Sequence, residues 1–127
     1  MRIGITGSRD LSFAQTKQAK RILAGLLSVY GPDDELHHGD ARGIDKLAKS
    51  VGSLYGMKTI AHHPKTQRWD TGYKPRNIEI VESSDFLLAI HCPDSTTNGT
   101  LWTYNYAIRK GIRCDWIELD PRTNNHR

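Results

Sequence analysis

Four short segments of this 127-residue chain carry groups that hold anions or hydroxyls, three of them beside glycine. In Gly7-Ser8-Arg9, glycine lets a backbone come close to a ligand, Ser8 offers a hydroxyl, and Arg9 offers a guanidinium fork. No GxGxxG follows, so the usual dinucleotide fingerprint is absent. In His38-Gly39-Asp40-Ala41-Arg42-Gly43-Ile44-Asp45, two glycines flank a short loop that opens a helix near Gly43. The free N–H groups of that helix would cradle a phosphate. Asp45 in its first turn either complements the helix dipole or reads a ribose hydroxyl, and the two roles can coexist. The third segment carries Arg76 and Asn77 just after a polar stretch. Arg76 would close on a phosphate there, and Asn77 would read a base or ribose edge. The fourth, Asn98-Gly99-Thr100, ends a run of hydroxyl and amide side chains and suits a phosphate or sugar.

Trp69 stands in the polar stretch between His63 and Lys74, exposed unless that stretch closes over something, and is the expected base-stacking residue. Trp102 and Trp116 are expected to pack in the core or at a subunit contact. His38, His63, His91 and Cys92 fall near strand ends but lack close ligand spacing, so neither a metal nor another cofactor is expected. Cys92 and Cys114 form no CxxC pair and read as small buried hydrophobes.

These segments must be positioned by the elements around them. Arg2–Thr6, Leu36–His38, Lys58–His62, Asp85–His91 and Cys114–Leu119 read as strands, the fourth as a continuous apolar run covered on both faces. The capping-box pair Ser12 and Gln15 opens a helix whose apolar positions Phe13, Ala19, Ile22, Leu23, Leu26, Leu27 and Tyr30 lead to Gly31-Pro32. Ile44, Leu47, Ala48, Val51, Leu54 and Tyr55 carry a second helix to Gly56. Pro75 opens a third over 76–84, and Gly99–Lys110 forms a fourth, closed by Gly111. The stretch from His63 to Lys74 has no period and is expected to be a functional loop, a candidate lid. The order βαβαβ-loop-αβαβ predicts a single α/β domain over residues 1–119. It should be Rossmann-like and three-layered, with a mainly parallel sheet of about five strands and helices on both faces. Residues 120–127 are expected to form a disordered tail.

Composition agrees with one water-soluble domain: 37% hydrophobic residues, 25% charged, and no apolar run of membrane-spanning length. The amino terminus lacks the pattern of an export signal, so a cytoplasmic location and no membrane partner are expected. The net charge of +4 favours phosphates in general but falls short of a polybasic tail.

The ordered set Gly7-Ser8-Arg9, His38-Gly39-Asp40-Ala41-Arg42-Gly43-Ile44-Asp45, Pro75-Arg76-Asn77 and Gly99-Thr100 resembles the SLOG superfamily. Within it, the set looks like the YspA-like branch of small, often phage- or bacterium-encoded proteins, over residues 3–118. That superfamily includes LOG-type phosphoribohydrolases, sensors of nucleotide-derived signals, and DprA-like proteins that bind single-stranded DNA. In the LOG-type enzymes, an arginine matching Arg76 and the glutamate of a GTxxE motif serve the reaction. Here the glutamate's place in Gly99-Thr100-Leu101-Trp102-Thr103 is taken by Thr103, which cannot act as a carboxylate base.

Binding therefore ranks above catalysis. The expected ligand is a nucleotide or nucleotide-derived phosphate, held at strand ends by Gly7, Ser8, Arg9, His38, Gly39, Asp40, Ala41, Gly43, Asp45, Trp69, Arg76, Asn77, Asn98, Gly99 and Thr100. One alternative is an N-glycosidic hydrolase of nucleoside monophosphates. It would use Arg76 with Asp40, Asp45 or Asp94, and Arg76 with Asp45 is the catalytic pair put forward. The other is a DprA-like single-stranded DNA binder, whose affinity would fall steeply with salt. A homodimer or larger assembly is expected through the fourth helix, with Trp102, Tyr104 and Tyr106 at the contact.

Overall fold

The computed structural model describes residues Met1–Arg122. Five strands, β1 (Arg2–Gly7), β2 (Glu35–His38), β3 (Lys58–Ala61), β4 (Phe86–His91) and β5 (Arg113–Glu118), pair in parallel in the order β3-β2-β1-β4-β5. The chain builds outward from β1 to β3, then restarts on the other side of β1 with β4. The strand order therefore reverses between β1 and β4, where such sheets leave a crevice at their carboxyl ends.

Helices α1 (Phe13–Leu27) and α2 (Ile44–Leu54) cover one face. Their apolar stripes meet Ile3, Ile5, Leu36, Leu88 and Ile90 in the main core. Helices α3 (Lys74–Glu82) and α4 (Gly99–Lys110) cover the other, with a smaller core of Ile80, Val81, Leu87 and Ala107. Burial of β4 on both faces matches its unbroken apolar sequence.

The Ser12–Gln15 capping box forms as the sequence predicts, with Ser12 Oγ accepting the Gln15 N–H and Gln15 Oε1 accepting the Ser12 N–H. The buried stripe of α1 then runs in steps of four through Gln15, Ala19, Leu23 and Leu27. Phe13 and Leu26 lie off that stripe and are exposed, contrary to the sequence reading; Leu54 is likewise off the buried face of α2 and exposed.

The stretch read as an aperiodic loop holds a π-helical turn, Trp69–Tyr73, running directly into α3. The N–H groups of Gly72 and Tyr73 both donate to the Arg68 carbonyl at 3.0 Å, and the Thr66 and Thr71 hydroxyls meet at 2.7 Å. A single wide turn has no repeat for a periodicity search to detect, and such turns recur at functional sites.

After β5 the chain is tied back to the domain. Gln15 Nε2 donates to the Asp120 carbonyl, the Asp120 N–H to Gln18 Oε1, and the Arg122 N–H to Asp94 Oδ2, each at 2.9 Å. Asp120–Arg122, the start of the expected disordered tail, are thus hydrogen-bonded to the domain; residues 123–127 lie outside the described residues.

Candidate functional site

A pocket of about 460 Å³ opens at the carboxyl ends of β1 and β4, within the size range of small-molecule sites. Its floor is Ile5, Thr6, Gly7 and Ser8 as β1 leaves the sheet, with Ile80 beside them. Arg9, Asp45, Arg76 and Asn77 supply polar groups on one side. Asn98, Gly99 and Thr100 present the start of α4 on another, and Trp69, Tyr73 and Trp102 form an aromatic wall.

The first turn is held by backbone contacts. Ser8 N–H donates to the Ile90 carbonyl at 3.2 Å, and Ser8 Oγ accepts the Cys92 N–H at 2.8 Å, stitching the ends of β1 and β4 together. The hydroxyl proton is what Ser8 retains for a ligand. A Cβ on Gly7 would collide with the Ile44 side chain, so glycine here lets α2 sit down on β1.

The second segment departs from the phosphate cradle that the sequence suggests. The Gly39 N–H donates to Asp45 Oδ2 at 2.7 Å, and the Ile44 N–H donates to the Ser8 carbonyl at 3.1 Å. The chain's own carboxylate and carbonyl thus occupy donors that a phosphate would need. Gly43, with φ of 83°, presses against the Ser8 and Arg9 carbonyls and lines no pocket. His38 is 1% exposed and also lines none. Its Nδ1 accepts the Asp40 N–H at 2.9 Å, burial lowers its pKa to about 4, and its Nε2 is buried without a partner.

Arg76 and Asp45 are brought together across 31 positions of sequence, both against Gly39, where any Cβ would strike the guanidinium. Arg76 is 7% exposed; its Nη1 donates to the Gly39 carbonyl at 2.9 Å and its Nε to Asn77 Oδ1 at 2.8 Å. Asn77 therefore orients Arg76 through its side-chain oxygen. Arg76 and Arg9 both lie against the Tyr73 ring, at 5.5 and 4.7 Å from its centroid. Burial and the charge of Arg9 lower the Arg76 pKa while Asp45 raises it, and a guanidinium keeps its charge through neutral pH.

The start of α4 has open donors. Asn98 gives no side-chain cap, so the first-turn N–H groups remain available to a ligand. A Cβ on Gly99 would meet nothing within 4 Å. Thr103, at the place of the expected glutamate, is fully buried and donates its hydroxyl to the Gly99 carbonyl at 2.8 Å, facing the helix rather than the pocket.

Trp69 is 37% exposed and meets Trp102 edge to face at 5.2 Å; Trp102 in turn stacks on Tyr106 at 5.4 Å. Trp102, expected to pack in the core or at a subunit contact, does pack against Trp69 and Tyr106 and also lines the pocket. Its spacing of three from Gly99 places it on the first turn of α4, a signal the sequence carried. Tyr73 and Thr97 line the pocket too, as does Ile80, whose apolar side chain carried no chemical signal in the sequence.

Of the three candidate carboxylates, only Asp45 lines this pocket. Asp94 is engaged by Gln15 and Arg122, while Asp40 pairs with Lys46 at 2.8 Å on the far side of Arg76. Among the described residues, no three His, Cys, Asp or Glu side chains converge on a metal position.

Burial raises the Asp45 pKa to about 6, outweighing the Gly39 N–H and the Arg76 charge, which both favour ionisation. A raised folded-state pKa contributes stability that is complete below the unfolded value of 3.8 and is lost as pH rises through about 6. Asp45→Asn should therefore gain on the wild type by about 2–3 kcal/mol between pH 4 and pH 7.5. Urea denaturation of both proteins at the two pH values measures this, and a pH-independent difference would show that Asp45 does not titrate there.

No family model matches the sequence, and a search of curated proteins found no match. Solved structures do resemble the fold. The structural-genomics target TM1055 superposes with a TM-score of 0.70 at 12% identity, over 89% of this chain and 71% of that one. The molybdenum cofactor carrier protein from Chlamydomonas reinhardtii gives 0.69 at 20% identity, over 91% and 75%. DNA processing protein A (DprA) from Streptococcus pneumoniae gives 0.56 at 17%, over 90% and 58%, so this chain spans little more than half of DprA. At these identities the likeness is one of fold: a Rossmann-like parallel sheet with helices on both faces.

Proposed function

We propose that this chain binds a nucleotide or a nucleotide-derived phosphate ligand in the pocket between β1, β4 and α4. One arrangement carries the reading: two guanidiniums, Arg9 and Arg76, and the uncapped start of α4 line the same cavity as the Trp69–Trp102 wall. The anionic end of the ligand lies at the arginines and the α4 N–H groups, and its planar ring lies against tryptophan. Two positive charges face one carboxylate, so the pocket favours an anion even when Asp45 is ionised. The solved structures whose names include a carrier of the molybdenum cofactor and a DNA-processing protein are compatible with a phosphate-bearing ligand.

Titration calorimetry with a panel of nucleoside monophosphates tests the proposal. Trp69→Ala should weaken whichever nucleotide binds by about tenfold, the equivalent of one stacked base. Absence of heat with every member of the panel would reject the reading.

Asp45 favours a second reading, N-glycosidic hydrolysis, because it is a pocket carboxylate poised near pH 6 beside Arg76. Chromatography of nucleoside monophosphates incubated with the protein would reveal free base, and intact nucleotides would leave binding as the function.

A further inference from the structure

A second cavity of about 260 Å³ adjoins the first. The two share Arg9, Ala41, Tyr73 and Arg76, so the arginine-flanked tyrosine forms the divide between them. Their chemistry differs. The first is walled by tryptophan, whereas the second is lined by Asp40, Arg42 and His63, with Pro64 as its apolar side chain beyond the divide.

Asp40 is held there in an unusual backbone state. Its φ of 56° makes it the one non-glycine residue with positive φ among the described residues, a conformation that costs free energy and that aspartate tolerates better than most. Its Oδ1 is taken by Lys46 at 2.8 Å, but Oδ2 has only the His63 Nε2 at 3.3 Å, a long contact that leaves acceptor capacity on that oxygen. A carboxylate oxygen of this kind accepts hydrogen bonds from hydroxyl groups. Arg42, paired with Asp10 at 2.9 Å, adds donors at the rim.

Guanidiniums at the divide, an aromatic compartment on one side and a carboxylate with spare acceptor capacity on the other match a ligand of three consecutive parts. We infer that the site takes a two-part nucleotide: a nucleoside in the tryptophan compartment, a phosphate or diphosphate bridge at Arg9 and Arg76, and a hydroxyl-rich group, such as a sugar, beside Asp40. This deepens the nucleotide reading and rests on it. Mononucleotides then fill only the first compartment and bind more weakly than their sugar-bearing counterparts.

The test is a set of calorimetric titrations in which base is held constant and the second part varied: AMP, ADP and ADP-ribose; GMP, GDP and GDP-mannose; UMP, UDP and UDP-glucose. In the base series that binds, the sugar-bearing member should exceed the monophosphate by about tenfold or more, and the diphosphate should fall between them. That ratio should collapse towards one in Asp40→Asn, which keeps a residue tolerant of the left-handed backbone, and shrink in Arg42→Ala, which removes only an exposed ion pair. Thermal melts check that both variants are folded. Equal affinity for monophosphate and sugar-bearing ligands overturns the inference and leaves the nucleotide reading standing, as does a gain already complete in the plain diphosphate. A ratio that survives in folded Asp40→Asn and Arg42→Ala also overturns it. No binding by any of the nine compounds overturns both.

Discussion

Arg76→Ala should abolish most ligand binding, weakening the best nucleotide by on the order of a hundredfold, because it removes a buried charged donor from the divide between the two compartments. The same substitution should destabilise the fold by about 2–3 kcal/mol. It strips the Gly39 carbonyl of its 2.9 Å partner and leaves Asp45 buried without the nearby cation. The two effects separate experimentally. Arg76→Ala combined with Asp45→Asn should recover part of the stability, since no carboxylate is then left unpaired, but none of the binding. Arg76→Lys should keep charge and lose the fork that reaches Gly39 and Asn77 together, giving intermediate affinity. Calorimetry and urea denaturation on the four proteins check these expectations; wild-type affinity in folded Arg76→Ala would remove Arg76 from the site.

Gly43→Ala should be severely damaging for a single added methyl group. Gly43 has φ of 83° and ψ of −128°, a region open essentially to glycine alone, and a Cβ there would drive into the Ser8 and Arg9 carbonyls. Neither obstacle can rotate away, because both are backbone. The expected cost is about 3 kcal/mol or more, or roughly a 10 °C fall in Tm for a domain of this size. Relief of the clash would separate the loop from the β1 turn, breaking the bond from the Ile44 N–H to the Ser8 carbonyl and shifting Arg9 in the pocket. Binding should therefore fall with stability. Gly99→Ala is the informative contrast: with open space around it and a helical position, its stability should stay within about 0.5 kcal/mol of wild type. Thermal melts of the two variants would show whether a fold-forming glycine and a pocket glycine differ as the geometry says.

These contrasts sort the four glycines of the motif segments by what they do. Gly7, Gly39 and Gly43 allow close packing by Ile44, Arg76 and the β1 turn respectively, while Gly99 borders open cavity. A motif rich in glycine at a strand end is therefore not automatically a phosphate loop. In this chain the second segment builds the platform, with Asp45 occupying the Gly39 donor. The open donors belong to α4.

The residues expected at an assembly contact through α4 are half-buried and engaged within the chain, Tyr104 against Trp116. Trp102 faces the pocket and stacks on Tyr106, and Tyr106 donates its hydroxyl to Glu82 at 2.9 Å. Leu101 and Ile108 are the large apolar side chains that α4 leaves exposed. A contact between copies through this helix would involve them.

How much of this was legible beforehand follows from the range of the forces involved. Strand and helix identity depend on local periodicity and on caps such as Ser12–Gln15, which act over a few residues, so the sequence by itself determined the βαβ order and the parallel sheet, and pointed to a crevice at the strands' carboxyl ends; the strand pairing placed it between β1 and β4. It also identified Arg9, Arg76, Trp69 and Gly99-Thr100 as groups suited to a ligand, because side-chain chemistry is visible without a fold. Which donors are already spent depends on contacts between distant segments. Only the tertiary structure decided that Asp45 occupies the Gly39 N–H, that Thr103 turns into its helix, that Trp102 faces the cavity, and that Arg9, Tyr73 and Arg76 divide one crevice into two compartments. Burial sets the cost of an unpaired group, and burial is a property of the packed chain rather than of any segment in it.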